Sequence, residues 1–303
     1  MIDYRPIHTA DQTEYEAVVS GVGERGCEYS FTNLYLWGRQ RIAFLEGNAT
    51  VFSQFDRKSV YLFPVGSGNI RGTLDAIIHD AMVRDIPCRL TGLSQLDCRL
   101  LESLYPGKFR IHTDRNSFDY IYSIDALADL AGRKLQRKRN HLNKFRQNYP
   151  DAVTEPISVS NIHLAVEMAE RWYAMRLAED ATQDFLMEQA AISRALSHWE
   201  ELKLEGLLLR VNGEVAAMTI GSRLSQDTFD IHFEKAMDRF DGAYAAINRE
   251  FAAYLRSKYP DVKWLNREDD MGIEGLRKAK LSYQPARLLE KYWACLLEDG
   301  YDY

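Results

Sequence analysis

The chain has 303 residues, of which 46% are hydrophobic and 27% charged, with a formal net charge of −6. This is the composition of a globular protein long enough for two domains. It excludes a membrane-spanning chain, since no run approaches the roughly 20 apolar residues a bilayer needs, and it excludes general nucleic-acid binding other than through a local patch.

The start, Met1-Ile2-Asp3-Tyr4-Arg5, lacks the basic and apolar runs of a signal peptide. Cys27, Cys88, Cys98 and Cys295 are scattered without a Cys-x-x-Cys pair, so reduced thiols in a cytoplasmic protein are expected. Residues 9–20 read as a helix that Thr9 can cap, and the aromatic run 29–37 as a short buried helix. Runs 41–46, 50–55 and 59–65 read as strands, the first two joined by a Gly47-Asn48 turn. Gly66-Ser67-Gly68 stands where a phosphate loop would fall, but no ionisable cluster accompanies it and it reads as a plain loop. Helix 70–85 carries Leu74, Ile77, Ile78 and Met82 at helical spacing. Strand 88–92, helix 94–104 and a strand pair, 109–113 with 118–124, complete the first half.

Residues 132–150 hold seven basic residues, Arg133, Lys134, Arg137, Lys138, Arg139, Lys144 and Arg146, and no acid. Leu135, Leu142 and Phe145 give a narrow apolar stripe, so this segment is a basic helix at a domain junction. Either its field attracts the phosphates of tRNA, a nucleotide or a lipid, with Lys138, Arg139 and Arg146 as ligands, or its charges are paired with acids elsewhere.

The second half repeats the plan. Strand 152–157 leads to helix 160–179, with Ser160 or Asn161 as cap, and helix 184–202. Strands 206–211 and 215–224 form a hairpin through Asn212-Gly213, followed by strand 228–236, helix 242–258, strand 262–266, a short helix 275–280 and a closing strand 287–296. The expected domains are 1–130, degenerate; 131–150, the junction helix; and 151–303, catalytic.

Four features of the second half bear on chemistry. In strand 228–236 simple alternation puts Asp230, His232 and Glu234 on one face. Either that face is solvated, or it lines a cleft where Glu234 or His232 takes a proton from an attacking amine. The turn Arg239 to Tyr244 opens a helix whose free N–H groups at Gly242 and Ala243 suit a phosphate; the alternative is a plain turn. Asn266-Arg267-Glu268-Asp269-Asp270 ends a strand, and Asp269 and Asp270 there could orient an ammonium, hold a cation or cap the next helix. Arg267, Arg277, Lys278 and Lys280 either bind a phosphate or balance those acids. No metal signature, Walker loop, Rossmann fingerprint or Gly-x-Ser-x-Gly is present, and no metal is expected.

Helices, a three-strand meander, a helix, a strand, a helix and further strands is the element order of a GNAT-type acyltransferase domain, so the expected class is α/β (α+β) with two such domains in tandem. Asp119-Tyr120-Ile121-Tyr122, Leu130-Ala131-Gly132-Arg133-Lys134, Lys138-Arg139-Asn140-His141, Asn266 to Gly272 and Gly275-Leu276-Arg277-Lys278-Ala279-Lys280 resemble bacterial proteins grouped with the phosphatidylglycerol lysyltransferase C-terminal domain. The resemblance covers nearly the whole chain. It implies tandem GNAT-like domains and kinship with Fem-type aminoacyl ligases, which move an amino acid from aminoacyl-tRNA to a lipid or peptide. Two departures stand out. The membrane-embedded half of full lysyltransferases does not appear. Arg239-x-x-Gly242-x-Tyr244 ends in tyrosine where the acetyl-CoA loop of GNAT enzymes has glycine or alanine.

The expectation is therefore an aminoacyl- or acyltransferase acting on an amine or hydroxyl of a small molecule, peptide or lipid. Its catalytic candidates are Glu234, His232, Asp269 and Asp270, and Arg239, Gly242, Ala243 and Tyr244 hold the donor. That donor is aminoacyl-tRNA or acyl-CoA. The alternatives are an acyl-CoA N-acyltransferase and a non-catalytic binder of an anionic ligand.

Overall fold

A computed structural model describes residues 1–55, 58–179 and 183–297. In chain order its elements are β1 (Arg5–Pro6), α1 (Gln12–Val19), α2 (Phe31–Leu36), β2 (Gln40–Leu45), β3 (Asn48–Phe55), β4 (Lys58–Gly66), α3 (Ile70–Val83), β5 (Arg89–Leu93), α4 (Gln95–Leu104), β6 (Phe109–Thr113), β7 (Asp119–Ser123) and α5 (Ile124–Asp129). There follow α6 (Gln136–Asn148), β8 (Val153–Pro156), α7 (Ile162–Glu179), α8 (Gln183–Ser197), β9 (Glu205–Val211), β10 (Glu214–Arg223), β11 (Thr228–Ala236), α9 (Ala243–Lys258), β12 (Trp264–Asn266), α10 (Glu274–Leu281), β13 (Arg287–Leu289) and β14 (Tyr292–Leu296).

The described chain forms two units, residues 1–118 with 289–297, and residues 119–288. This division differs from the expected breaks at 130 and 150, because two strands join the sheet of the other half of the sequence. The first unit's sheet runs β1-β2-β3-β4-β5-β14-β6, with β14 taken from the end of the described chain. The second runs β13-β7-β12-β11-β10-β9-β8, with β7 taken from before the basic segment. The expected pair 109–113 with 118–124 is thus not formed: β6 lies against β14 and β7 against β12. Likewise the expected strand 287–296 is two strands in two sheets, broken at Glu290-Lys291. Residues 298–303 of the expected last domain lie outside the described residues.

Local chemistry explains most boundaries. Ser94 accepts from the Asp97 N–H while Asp97 accepts from the Ser94 N–H, a reciprocal cap that starts α4. Asn69 accepts from the Gly72 N–H and starts α3. At the chain's start, by contrast, Thr9 lies inside a short 3-10 turn, Thr9–Asp11, ahead of α1 and does not cap it. The β2–β3 turn is Glu46-Gly47, one residue earlier than expected, and β9–β10 turn at Asn212-Gly213 as expected. Both pairs take positive φ, near +50° and +80°, which matches the strand twist in a two-residue hairpin.

In the first unit Tyr61, Phe63, Leu74, Ile77, Leu90 and Leu93 form the core. In the second, Tyr120, Tyr122, Phe229, Ile247, Phe251 and Leu255 bury α5 and α9 against the sheet. Among the described residues no helix is long and apolar enough to cross a membrane.

Candidate functional site

β11 and β12 run parallel, but they pair only where Thr228 to Asp230 meet Trp264 to Asn266. β11 continues to Ala236 without β12, and the chain after β12 turns away at Glu268, whose φ is +54°. The sheet of the second unit therefore opens beyond Asp230, and side chains from both strand ends meet there.

The alternation along β11 is broken before it reaches the site. Ile231 is opposite Gly221 and Phe233 is opposite Ile220, so His232 is an extra residue, a β-bulge. A bulge shifts the two-residue period, and the contacts diverge accordingly. His232 joins Asp230, Ser222 and Glu268: Nε2 is 2.8 Å from Ser222 Oγ, and Nδ1 is 3.3 Å from Glu268 Oε1 and 3.6 Å from Asp230 Oδ2. Glu234 instead meets Arg267 at 2.8 Å and accepts from Asn248 Nδ2 of α9 at 3.0 Å. The expected single row of Asp230, His232 and Glu234 is thus two separate groups. Neither is a solvated face: the side chains of Asp230, His232 and Glu234 are at most 10% exposed.

Around Glu234 and Arg267 the polar groups are incompletely matched. Thr219 is opposite Glu234 in the sheet, and its buried Oγ1 has no hydrogen-bond partner among the described residues. Asn248 Oδ1 is in the same position, and Arg267 Nη1 is buried without a well-formed hydrogen bond. Two acceptors and one donor near one buried ion pair suit a small group carrying both an ammonium and a carbonyl oxygen. Arg267 packs over the rings of Tyr122 and Tyr283, at 5.6 and 4.8 Å from their centres. Lys138 of α6 lies on the same Tyr283 ring, 3.8 Å from its centre. Burial draws the Lys138 pKa down to about 8; Arg267 and Arg137 act in the same direction and Glu234 opposes them.

The acidic segment after β12 is built differently from Glu234. Asp270 is fully buried and accepts from Tyr120 Oη at 2.5 Å, from the Gly272 N–H at 2.9 Å, and from Arg277 Nε and Nη2, both at 2.8 Å. Arg277 is the first cause that holds its carboxyl well below the usual range, ahead of the Tyr120 hydrogen bond. Lys280 is buried and donates to the carbonyls of Arg267, at 2.5 Å, and Asp269. Asp270, Arg277 and Lys280 thereby pin the segment that carries Arg267. Asp269 is half-buried beside them, and Lys278 is exposed and paired with Glu274. Asp230, His232 and Glu268 bring three ligand atoms within 4.8 Å of one another, a spacing a divalent cation could bridge.

The turn before α9 is covered. Gly242 has φ +87°, and a Cβ there would lie 2.8 Å from the His141 carbonyl and 3.0 Å from Phe145 Cβ, both of α6. Lys144 pairs with Asp241 at 2.6 Å, and Arg239 pairs with Glu214. Ala243 is buried in the core, and its N–H donates to Phe240. Tyr244, on the first turn of α9, is exposed.

The basic helix divides by partner. Arg139 donates to the carbonyls of Leu130 and Gly132 and to Gln136, closing the turn that leads into α6. Arg146 pairs with Glu250 at 3.0 Å. Arg133, Lys134 and Arg137 are exposed, with no ion pair or hydrogen bond to a described residue. The structure thus brings Lys138, Glu234 and Arg267 together and leaves His232, Arg239, Arg139 and Arg146 in other contacts. Asn248, Thr219 and Tyr283 escaped sequence reasoning as site residues. Asn248 had a signal, a lone amide among buried Ala245, Ala246, Ile247, Phe251 and Ala252 of α9.

Comparison with known proteins gives this geometry a family. Residues 20–295 match the family model described as "Phosphatidylglycerol lysyltransferase, C-terminal". A conserved protein of unknown function from Bacteroides thetaiotaomicron VPI-5482 is 37% identical, with a TM-score of 0.92 covering 98% of this chain and 100% of that one. L-PGS from Bacillus licheniformis is 15% identical, with a TM-score of 0.69 over 98% of this chain and 94% of that one. A tandem GNAT protein from the clavulanic acid biosynthesis pathway is 10% identical, with a TM-score of 0.51 over 99% and 100%. An uncharacterised protein of Mycoplasmoides gallisepticum is 25% identical over 182 residues, 58% of this chain and 56% of that one, so the match spans about half the length of this curated relative. The two mixed seven-stranded sheets with flanking helices are two GNAT-like domains in tandem. The chain belongs to the phosphatidylglycerol lysyltransferase C-terminal family.

Proposed function

We propose that the protein is an aminoacyltransferase that moves an amino acid from aminoacyl-tRNA to an amine or hydroxyl acceptor. The observation that carries this reading is the Glu234–Arg267 pair, buried at the parting of β11 and β12 and ringed by the unmatched Thr219 Oγ1, Asn248 Oδ1 and Arg267 Nη1. The donor's α-ammonium would meet Thr219 and Asn248 beside the Glu234 carboxylate. Its ester carbonyl would point at Arg267 Nη1, which offsets the negative charge that grows on that oxygen as the acceptor attacks. Holding the two reactants together in the opened sheet supplies part of the acceleration. Glu234 is committed to Arg267 and Asn248, so its role in this reading is to hold the guanidinium rather than to move a proton. Exposed Arg133, Lys134 and Arg137 would take the more distant phosphates of tRNA.

The acyl-CoA reading is less favoured. Its pyrophosphate would need the Gly242 turn, and α6 covers that glycine. The test is binding of charged and uncharged bulk tRNA across a salt series, with acetyl-CoA as competitor. Binding that prefers charged tRNA and weakens steeply with salt supports the proposal. Binding of acetyl-CoA without tRNA binding overturns it.

A further inference from the structure

We infer that Lys138 is a further catalytic residue of this site, the base that takes the proton from the acceptor's attacking amine or hydroxyl. This rests on the transferase reading above and adds the proton acceptor that reading lacks. Lys138 is half-buried on the first turn of α6, with Nζ 3.8 Å from the centre of the Tyr283 ring. That ring also carries Arg267, which faces the site through Nη1, so the lysine stands beside the donor position.

The charged and titratable groups around Lys138 decide its protonation. Arg137 is its neighbour on α6, Arg267 comes from the end of β12, Glu234 from β11 and Tyr283 from beyond α10. Glu234, the one carboxylate among them, is occupied by Arg267 and Asn248. Lys138 itself has no ion pair or hydrogen bond with a described residue. A desolvated amine that faces cations and has no carboxylate in contact gives up its proton more readily than an ordinary lysine, here at about 8. A base poised near the working pH is the most effective one. His232 is less suited to the task, since Ser222 and Glu268 engage its two ring nitrogens.

The step balances without an added reactant. The acceptor nitrogen or oxygen bonds to the donor's carbonyl carbon, and the carbonyl carbon's bond to the ribose oxygen breaks. Lys138 takes the proton released by the nucleophile and returns it to the departing ribose oxygen.

Two measurements test this. The first is trace acetylation of the whole chain with acetic anhydride from pH 6 to 11, read by peptide mass spectrometry. The same lysine in the urea-unfolded chain is the reference. Lys138 should titrate about two pH units lower in the folded protein. Equal midpoints overturn the role of Lys138 and leave the transferase reading intact. The second follows transfer of labelled amino acids from charged bulk tRNA to ethanolamine. Lys138→Arg keeps the charge but cannot act as a base at these pH values. It should bind charged tRNA as the wild type does, yet transfer at least 100-fold more slowly and without the rise in rate near pH 8. Retention of that rise in Lys138→Arg overturns the proposal. Absence of transfer by the wild type overturns the transferase reading, and the proposal falls with it.

Discussion

Glu234 and Arg267 are a buried ion pair 2.8 Å apart, set where β11 and β12 cease to be neighbours. Their side chains are 10% and 12% exposed, so each is the other's main counter-charge. Removing one partner leaves a charge in a dry site, which costs about 3–5 kcal/mol, whereas removing both costs less. Arg267→Met should therefore be markedly less stable in urea unfolding than the double variant Glu234→Gln/Arg267→Met. A double variant no more stable than Arg267→Met would show that the pair does not hold the site together.

Gly242 is a structural glycine. Its φ of +87° strains any other residue, and a methyl group there would press on the His141 carbonyl and Phe145. Gly242→Ala should lower stability by roughly 1–3 kcal/mol. Gly275→Ala serves as a control, since nothing lies within 4 Å of the added carbon. Helix propensity predicts that this control is neutral or slightly stabilising. Thermal unfolding of the two variants separates them; equal melting temperatures would contradict the close packing of α6 on the turn.

Asp270 makes stability depend on acid. Its folded pKa is depressed, Arg277 being the largest cause. The contribution is then complete above the ordinary carboxylate pKa of about 4 and fades as pH falls below it. The wild type should be clearly more stable than Asp270→Asn at pH 7, and the gap should narrow between pH 5 and 3. A gap that is constant with pH would mean that the carboxylate's charge does not hold the segment after β12.

Lys138 acts in the opposite sense at pH 7, where its charge costs stability instead of adding to it. Its folded pKa, about 8, lies below the 10.5 of an ordinary lysine. Below pH 8 both the folded and unfolded chains carry the charge, and the folded one bears the cost of burying it. Between pH 8 and 10.5 the unfolded chain binds more protons, so stability rises with pH. Lys138→Met should thus be more stable than the wild type at pH 7, with an advantage that shrinks by pH 10. Urea midpoints at the two pH values measure the change, and an advantage that grows with pH would contradict it.

Elements with strong local signals were legible in the sequence. Asn212-Gly213 marks its hairpin, and Leu74 and Ile77 mark the buried face of α3. What escaped depends on partners distant in the chain. Nothing between Arg287 and Leu296 signals that Glu290-Lys291 separates two sheets, because neither glycine nor proline marks the break. The bulge at His232 follows from its pairing with β10, so alternation alone placed Glu234 on the wrong side of the strand. Lys138 was legible as a cation within a basic run. Its separation from Arg139 and Arg146 was not, because it rests on Tyr283 and Arg267, more than a hundred positions away.

The placement of β14 between β5 and β6 has a consequence for biosynthesis. The second unit is one uninterrupted stretch, 119–288, and every strand it needs has left the ribosome before residue 292. The first unit begins earlier but cannot pair β6 until Tyr292–Leu296 arrive. Its β5 and β6 edges then stay open during most of translation, when free strand edges invite mispairing. On a growing chain the two sheets gain their last strands, β13 and β14, within a few residues of each other, but β5 and β6 have by then waited far longer for theirs.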